Sequence, residues 1–185
     1  MNQLDEKVIE TERLVLFPLK ALHAEHMFSG LSDLPSYDFT PDMPPKDVAA
    51  LEERYRRLES RRSPDGGEAW LNWVISSAAT QELLGYVQFT VKPVEQRALV
   101  ACFVFAPHRK SGIANEAIRA LLQEVVANFR LVCVEAEIDT RNIASIALIE
   151  KLGFLRTRLV PHADEFKGVI SDEYHYSYAV SEMVG

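Results

Sequence analysis

Apolar positions recur along the chain with two spacings, and these spacings predict alternating strands and helices. Segments that are continuously apolar, or that alternate between apolar and polar residues, predict strands. They cover residues 12–18, 70–76, 83–91, 98–105, 132–139, 154–160 and 171–180. Segments with apolar residues every three or four positions predict helices. They cover residues 21–31, 46–62, 115–130 and 142–152. Residues 32–45 and 161–170 are predicted to be loops.

The order of these segments predicts the fold class. Three strands within residues 70–105 have short polar links, so they form an antiparallel meander. The segment 98–105 is apolar on both faces, which is typical of a central strand covered on each side. Strand, helix and strand then follow within residues 98–139, which predicts a right-handed parallel pair. We expect an α/β (α+β) fold with a mixed, mainly antiparallel sheet of about seven strands, in a single domain over residues 1–185.

Composition and charge narrow the range of partners. The chain has 185 residues, of which 48% are hydrophobic and 25% charged, as in ordinary globular proteins. The net charge of −7 argues against nucleic-acid binding and is compatible with a cationic substrate such as an amine. Cys102 and Cys133 lie in apolar runs, which predicts buried free thiols. We expect a cytoplasmic monomer or homodimer without a metal, a membrane span or a signal peptide.

The loop at residues 106–114 carries the clearest chemical signal. It joins a predicted strand to a predicted helix and contains a glycine, a serine and two cations. The first N–H groups of a helix have no partner within the helix, and the helix dipole is positive there. Gly112 lets the backbone approach a ligand closely, and Arg109 and Lys110 add positive charge. The loop therefore predicts a site for a phosphate-bearing ligand.

Four segments together resemble the GNAT superfamily of acetyl-CoA-dependent N-acetyltransferases, and within it the RimJ/RimL branch. They are Glu10-Thr11-Glu12-Arg13-Leu14-Val15-Leu16, Arg109-x-x-Gly112-x-Ala114, Asn142-x-x-Ser145-x-x-Leu148-x-x-Lys151-Leu152-Gly153-Phe154 and the tyrosine-rich residues 172–180. The second matches the superfamily signature Gln/Arg-x-x-Gly-x-Gly/Ala. The others are similar to the first strand, the motif after the fifth strand and the closing strand of the branch. The matches span nearly the whole chain.

The resemblance implies a donor site for acetyl-CoA as co-substrate. Its pyrophosphate would be held by backbone N–H groups of Arg109, Lys110, Ser111, Gly112, Ile113 and Ala114. Family members splay the fourth and fifth strands apart, which would place Phe103, Val104 and Phe105 beside the pantetheine arm. Asn142 would contact the pantetheine or hold the splay open. A backbone N–H near Val104 or Phe105 would stabilise the carbonyl oxygen of the thioester.

The proton acceptor and the proton donor are open at this point. Many family members have a tyrosine four residues before the Gly-Phe pair, where this chain has Ile149. By likeness to the RimJ/RimL branch, Ser145 is the candidate acid, and helix capping or packing is its alternative role. Glu135 and Glu137 lie on one face of a predicted strand, with Asp139 beyond them. We take Glu137 as the candidate base, and a solvated face that only attracts a cationic amine is the alternative.

The sequence says less about the acceptor than about the donor. The first hypothesis is the N-terminal amine of a protein or peptide, and the second is a small-molecule amine. A third hypothesis, a non-catalytic acyl-CoA-binding regulatory module, stays open because the family tyrosine is missing. Residues 32–45 and 46–62 are predicted to shape the acceptor site.

Overall fold

The computed structural model describes residue 4 and residues 6–180. Its strands are β1 (Ile9–Glu10), β2 (Leu14–Pro18), β3 (Ala69–Ser77), β4 (Leu83–Lys92), β5 (Arg97–Val104), β6 (Cys133–Asp139), β7 (Leu155–Phe166) and β8 (Val169–Ala179). Its helices are α1 (Ala24–Leu31), α2 (Val48–Leu58), α3 (Ile113–Phe129) and α4 (Ile143–Lys151). None of the helices in this part of the chain has the length and apolarity needed to cross a membrane.

The strands form one eight-stranded sheet in the order β1-β2-β3-β4-β5-β6-β8-β7. Every neighbouring pair is antiparallel except β5 and β6, which are parallel and are connected through α3. This confirms the predicted mixed, mainly antiparallel sheet with one parallel pair. The sheet has one strand more than the sequence predicts, because the short strand β1 has no pattern long enough to be recognised.

Helices pack on both faces of the sheet and divide its core in two. On one face, Leu121 of α3 and Ile149 of α4 join a core that includes Trp73 of β3. On the other face, Met27 of α1 and residues of α2 join a core that includes Val74 of β3. Successive side chains of a strand point to opposite faces, so β3 is the strand that is buried on both sides.

Helices α1 and α2 cover only part of their face of the sheet. The prediction that β5 is covered on both faces is wrong at Ala101, which is exposed. Val134 and Ala136 of β6 belong to the core under α3, so Glu135 and Glu137 point to the opposite face. This polar face of β6 and β8 continues the sheet beyond the area that α1 and α2 cover.

The predicted loop at residues 161–170 is instead a hairpin. Strands β7 and β8 extend into it and meet at a two-residue turn, Lys167 and Gly168, with φ of +54° and +74°. Positive φ at both central residues is the geometry of a tight hairpin turn. Pro161 is accommodated because β7 is an edge strand with a shifted register beside it.

Two helices differ from their predictions in ways that matter for the site. Helix α3 begins at Ile113, two residues earlier than predicted, directly after Gly112. Helix α4 covers Ile143–Lys151, one residue inside the predicted bounds at each end. Ala144 and Ala147 are exposed, and Ile149, at the position of the family tyrosine, is buried in the core.

Gly85 of β4 provides a test of the close packing beside the end of β5. A Cβ at Gly85 would lie 2.0 Å from the carbonyl oxygen of Phe103 and 2.9 Å from the Cα of Val104, and its φ is +150°. We expect Gly85→Ala to lower the free energy of unfolding by about 2 kcal/mol or more, measured by urea denaturation. Gly67→Ala is the control, because its Cβ would meet only Asp65 at an ordinary 3.5 Å. Equal stability of the two variants would contradict the packing described.

Candidate functional site

The sheet opens between β5 and β6. These strands pair at three positions, Arg97 with Cys133, Ala98 with Val134 and Leu99 with Glu135. Beyond them, β5 pairs only with β4 and β6 pairs only with β8. Residues 100–104 and 136–139 therefore border a gap in which backbone groups have no neighbouring strand. A narrow extended ligand can pair with such an edge as another strand would.

The backbone groups of β5 that face the gap follow from its pairing with β4. The N–H of Phe105 donates to the carbonyl oxygen of Leu84 at 2.8 Å. Antiparallel pairs alternate between hydrogen-bonded and non-hydrogen-bonded positions, so Val104 and Cys102 turn their N–H and C=O groups toward the gap. Of the two N–H groups considered from the sequence as donors to the thioester oxygen, that of Phe105 is occupied and that of Val104 faces the gap.

The side chains at the end of β5 point into the core beneath α1 and α2. Phe103 lies parallel to Tyr86, with ring centroids 5.7 Å apart, and Phe105 is buried. Phe103 and Phe105 thus contribute to the gap through their position on the strand, and their rings hold the end of β5 in place.

A phosphate-sized cradle lies at the start of α3, at the end of the gap. Residues 109–112 are exposed, and Gly112 has a φ of +84° that favours glycine. The first hydrogen bond within the helix runs from the N–H of Glu116 to the carbonyl oxygen of Gly112, at 3.1 Å. The N–H groups of Ile113, Ala114 and Asn115 therefore have no partner within the helix.

The cradle is held in shape by the first residues of the chain's opening motif. Arg13 donates from Nε to a carboxylate oxygen of Glu116 at 2.7 Å and from Nη1 to the carbonyl oxygen of Ser111 at 3.1 Å. Thr11 donates to the other oxygen of Glu116 at 2.6 Å. Partial burial raises the pKa of Glu116, but the hydrogen bonds from Thr11 and Arg13 outweigh it, and the pKa lies below its ordinary value. The family resemblance implied no role for this opening motif. The structure shows that Thr11 and Arg13 of the motif hold the loop in place.

The side chain of Arg109 extends toward α1 and the residues that follow it. Its Nε donates to the carbonyl oxygen of Val104 at 3.0 Å, its Nη2 to the hydroxyl of Ser36 at 2.5 Å, and its guanidinium lies over the ring of Phe103. Arg109 was expected to place its charge at the phosphate site. Its guanidinium instead joins the loop to residues 33–42. Lys110 remains exposed beside the cradle.

Residues 33–42 are also held from the other side of the gap. Lys167, at the tip of the β7–β8 hairpin, donates to the carbonyl oxygens of Tyr37 and Thr40, the latter at 2.9 Å. Arg141 lies over the ring of Phe39 at 5.9 Å. This segment therefore spans from the cofactor-side loop to the hairpin and forms one wall of the site.

The turn after β6 positions two predicted residues. Asp139 is buried and accepts hydrogen bonds from the backbone N–H and the guanidinium of Arg141, which hold the pKa of Asp139 below its ordinary value. Asn142 accepts a bond from the N–H of Ser145 at 3.1 Å and so caps α4. The oxygen of Asn142 accepts the cap bond, and its NH₂ group has no hydrogen bond within residues 6–180. The hydroxyl of Ser145 has no hydrogen bond within residues 6–180.

Three carboxylates were candidates for the base, and the structure distinguishes them. Glu135 forms an ion pair with Arg97 at 2.5 Å, and Asp139 is bound to Arg141. Glu137 is exposed beside the gap, in the part of β6 that β5 does not reach. Continuing the register of the pair places it opposite the exposed Ala101.

Glu137 has two neighbours that the sequence analysis left unassigned. His175 lies across the β6–β8 pair, with Nδ1 3.5 Å from Glu137 and Nε2 3.6 Å from Glu173. Burial, and then the charge of Glu137, raise the pKa of Glu173. One ligand atom from each residue lies within 4.8 Å of the others, and Arg158 lies 3.2 Å from His175. The group suits a proton or an ammonium ion. Only the register of β6 and β8 brings it together, so the sequence alone gave no signal for it.

The cradle and the gap fit two parts of an acyl-CoA molecule, its pyrophosphate and its pantetheine arm. The N–H groups without helix partners at the start of α3 suit a pyrophosphate. A Cβ at Gly112 would lie 3.3 Å from Arg13, and the buried amide nitrogen of Asn115 has no hydrogen bond among the described residues. The unpaired backbone of β5 suits the amide groups of pantetheine.

Comparison with known families agrees with this geometry. The profile of the family described as Acetyltransferase (GNAT) domain matches residues 13–155, which is more than half of the chain. The chain belongs to the GNAT acetyltransferase family. It is an acetyl-CoA-dependent acetyltransferase, and its fold is the mixed α/β fold of that family.

One curated relative and two solved structures show the range of the family around this chain. An uncharacterized N-acetyltransferase p20 from Bacillus licheniformis is 24% identical over 180 residues, covering 97% of this chain and 99% of the relative. Spermidine N-acetyltransferase from Vibrio cholerae, in complex with CoA and spermine, superimposes with a TM-score of 0.80 at 17% identity, covering 95% of this chain and 100% of that one. RimL, a ribosomal L7/L12 alpha-N-protein acetyltransferase in complex with coenzyme A, gives 0.82 at 15% identity, covering 94% and 98%. These two structures share the fold and are named for different acceptors, spermidine and a ribosomal protein.

Gly112 offers a test of the donor site. We expect Gly112→Trp to weaken acetyl-CoA binding on the order of 100-fold or more, because the side chain would fill the cradle. Isothermal titration measures the affinity, and circular dichroism confirms the fold. Gly66→Trp is the matched control: Gly66 also has a positive φ, of +73°, and nothing lies within 4 Å of its Cβ position. Unchanged affinity in Gly112→Trp would show that the donor is held elsewhere.

Proposed function

We propose that residues 1–185 form one cytoplasmic N-acetyltransferase domain of the RimJ/RimL type, which acetylates the N-terminal amine of a protein or peptide. The supporting observation is the open acceptor side of the gap. Ala101 is exposed there, and β6 and β8 continue as a polar face that α1 and α2 do not cover. An extended acceptor can lie on this open side of the sheet, across the exposed Ala101, with its terminal amine at the gap.

On this side of the sheet, the enclosed cavity is too small to hold a whole acceptor molecule. A cavity between α2 and the sheet measures about 20 Å³, whereas small-molecule pockets usually measure about 300 Å³ or more. A larger, open cleft of about 530 Å³ is lined by residues such as His26, Glu82 and His108 and includes no residue of β6 or β8. The gap therefore favours an acceptor that remains mostly outside it.

The residues around the gap support direct transfer. Bound acetyl-CoA supplies an activated thioester carbonyl. Val104 donates its N–H to the carbonyl oxygen, and Glu137 accepts the proton that the amine loses as its nitrogen bonds to the carbonyl carbon. Ser145 gives a proton to the sulfur as the carbon–sulfur bond breaks. Cys102 takes no covalent part, because burial raises the pKa of its thiol to about 12 and keeps it protonated.

The donor-site assignments rest on the same geometry. Residues 109–114 hold the pyrophosphate, the backbone of Val104, flanked by Phe103 and Phe105, lines the pantetheine side of the gap, and Asn142 approaches it from the start of α4. The two free cysteines support a reducing, cytoplasmic location.

Glu137→Gln tests the base. We expect kcat to fall about 100-fold or more, with CoA affinity unchanged. The remaining rate should rise about tenfold per pH unit up to the pKa of the amine, near 8, because only the neutral amine then reacts. Thiol release measures the rate. Glu135→Gln is the control, since Arg97 holds Glu135, and it should keep most of the activity. Equal losses in both variants would refute the assignment.

The acceptor class is tested with a panel of amines. Peptides with free N-termini, the same peptides blocked at the N-terminus, and spermidine are supplied with acetyl-CoA, and thiol release and product mass are measured. We expect acetylation of the free peptides at the α-amine. Acetylation of spermidine with none of the peptides would identify a small-molecule enzyme instead.

A further inference from the structure

A small polar pocket lies between α2 and the sheet, beside the acceptor side of the gap. Its volume is about 20 Å³, enough for one water-sized group. Its polar lining comes from α2, from β3 and β4 and from residues 33–42. These lining residues are Tyr37, Arg54, Tyr55, Asn72, Tyr86 and Gln88.

Asn72 is buried and Tyr86 is half-buried beside this pocket, and each has a polar atom without a partner among the described residues. Asn72 is 3% exposed, and its one hydrogen bond, from Nδ2 to the carbonyl oxygen of Trp70, is long at 3.4 Å. Burial raises the pKa of Tyr86 to about 12. Within residues 6–180, neither the Tyr86 hydroxyl nor the side-chain oxygen of Asn72 has a hydrogen bond. Both atoms reach the open space of the pocket, so they are available to an external polar group.

Arg54 differs from the other arginines in the middle of α2. Arg56 bonds to Glu52 at 2.5 Å and to Glu53 at 2.9 Å, on the outer face of the helix. Arg54 lines the pocket, and its nearest carboxylate, on the exposed Asp42, is 3.9 Å away, beyond hydrogen-bond distance. Its guanidinium is close enough to oppose the rise that burial causes in the pKa of Tyr86. The guanidinium thus presents its N–H donors at the mouth of the pocket.

The sheet register places this pocket at a short distance from the reaction. Asn72 pairs with Gln88 across β3 and β4, and Gln88 pairs with Ala101 across β4 and β5. Neighbouring strands lie about 4.8 Å apart, so the pocket lies about 5 to 10 Å from the strand that borders the gap. An extended peptide advances about 3.3 Å per residue. An extended peptide whose terminal amine lies at the gap can run over Ala101 and β4 toward α2, and this path places the side chain of one of its next residues over Arg54.

We propose that Arg54 and the pocket behind it select acceptor peptides with a carboxylate side chain, Asp or Glu, within the first three residues. The guanidinium binds the carboxylate in place of its weak contact with Asp42, because a planar fork of N–H donors matches two carboxylate oxygens. Asn72 and Tyr86 bind one oxygen or its bound water. This inference rests on the proposed peptide acetyltransferase function and adds the sequence preference of the acceptor.

The test compares C-terminally amidated peptides that differ only by Glu, Gln or Lys at each of positions 1 to 3. We expect wild-type kcat/KM to favour Glu over Lys by about tenfold or more at one position. Arg54→Glu should reverse this preference, and Arg54→Gln should remove it. Arg56→Glu is the matched control, since it makes the same charge change on the outer face of the same helix and should keep the wild-type preference.

The outcomes separate this inference from the function on which it rests. Acetylation of all peptides at similar rates by the wild-type protein would overturn the carboxylate preference and leave the peptide function intact. A reversal by Arg56→Glu equal to that by Arg54→Glu would show a general charge effect and also overturn it. Failure to acetylate any peptide, with spermidine accepted, would overturn both.

Discussion

The separation of β5 from β6 is the constraint on which the rest of the site depends. The two strands begin as an ordinary parallel pair, fixed at its closed end by the ion pair between Arg97 and Glu135. Past Leu99 each strand keeps one partner, β4 or β8, and leaves its other side without one. Unpaired backbone is costly in a protein interior unless a ligand or water satisfies it. The donor site is thus a missing stretch of sheet, and the loop at the start of α3 fixes where the rest of the donor molecule lies.

Donor and acceptor sides are joined by long side chains that cross between elements. Arg109 belongs to the loop at the donor site, yet it bonds to Ser36 on the acceptor side. Lys167 holds the same segment from the hairpin tip. Residues 33–42 contain prolines and no long helix, so their position depends on these contacts more than on local backbone preference. The two sides of the site are thus tied together by direct contacts.

Local patterns were sufficient to predict most elements and the cradle. The apolar periodicity of α3 and the glycine before it predict the start of the helix to within two residues, because helix starts follow short-range rules. Long-range contacts were not predictable. The sequence could not show that Arg109 turns away from the phosphate site, because its partner Ser36 lies 73 positions away. Nor could it show that His175 meets Glu137, because that contact depends on the register of β6 and β8, 38 positions apart. Pro161 suggested a loop because its tolerance in an edge strand depends on the order of the strands.

That edge strand has a consequence for how the molecule meets others. Exposed sheet edges attract the strands of other chains and lead to aggregation. Here one outer edge is β1, which is two residues long, and the other is β7, interrupted by Pro161 and by shifts in register. Both rims are poor templates for a foreign strand. The unpaired backbone of the gap lies inside the sheet, between two strands, where a thin, flexible molecule fits better than the broad edge of another protein.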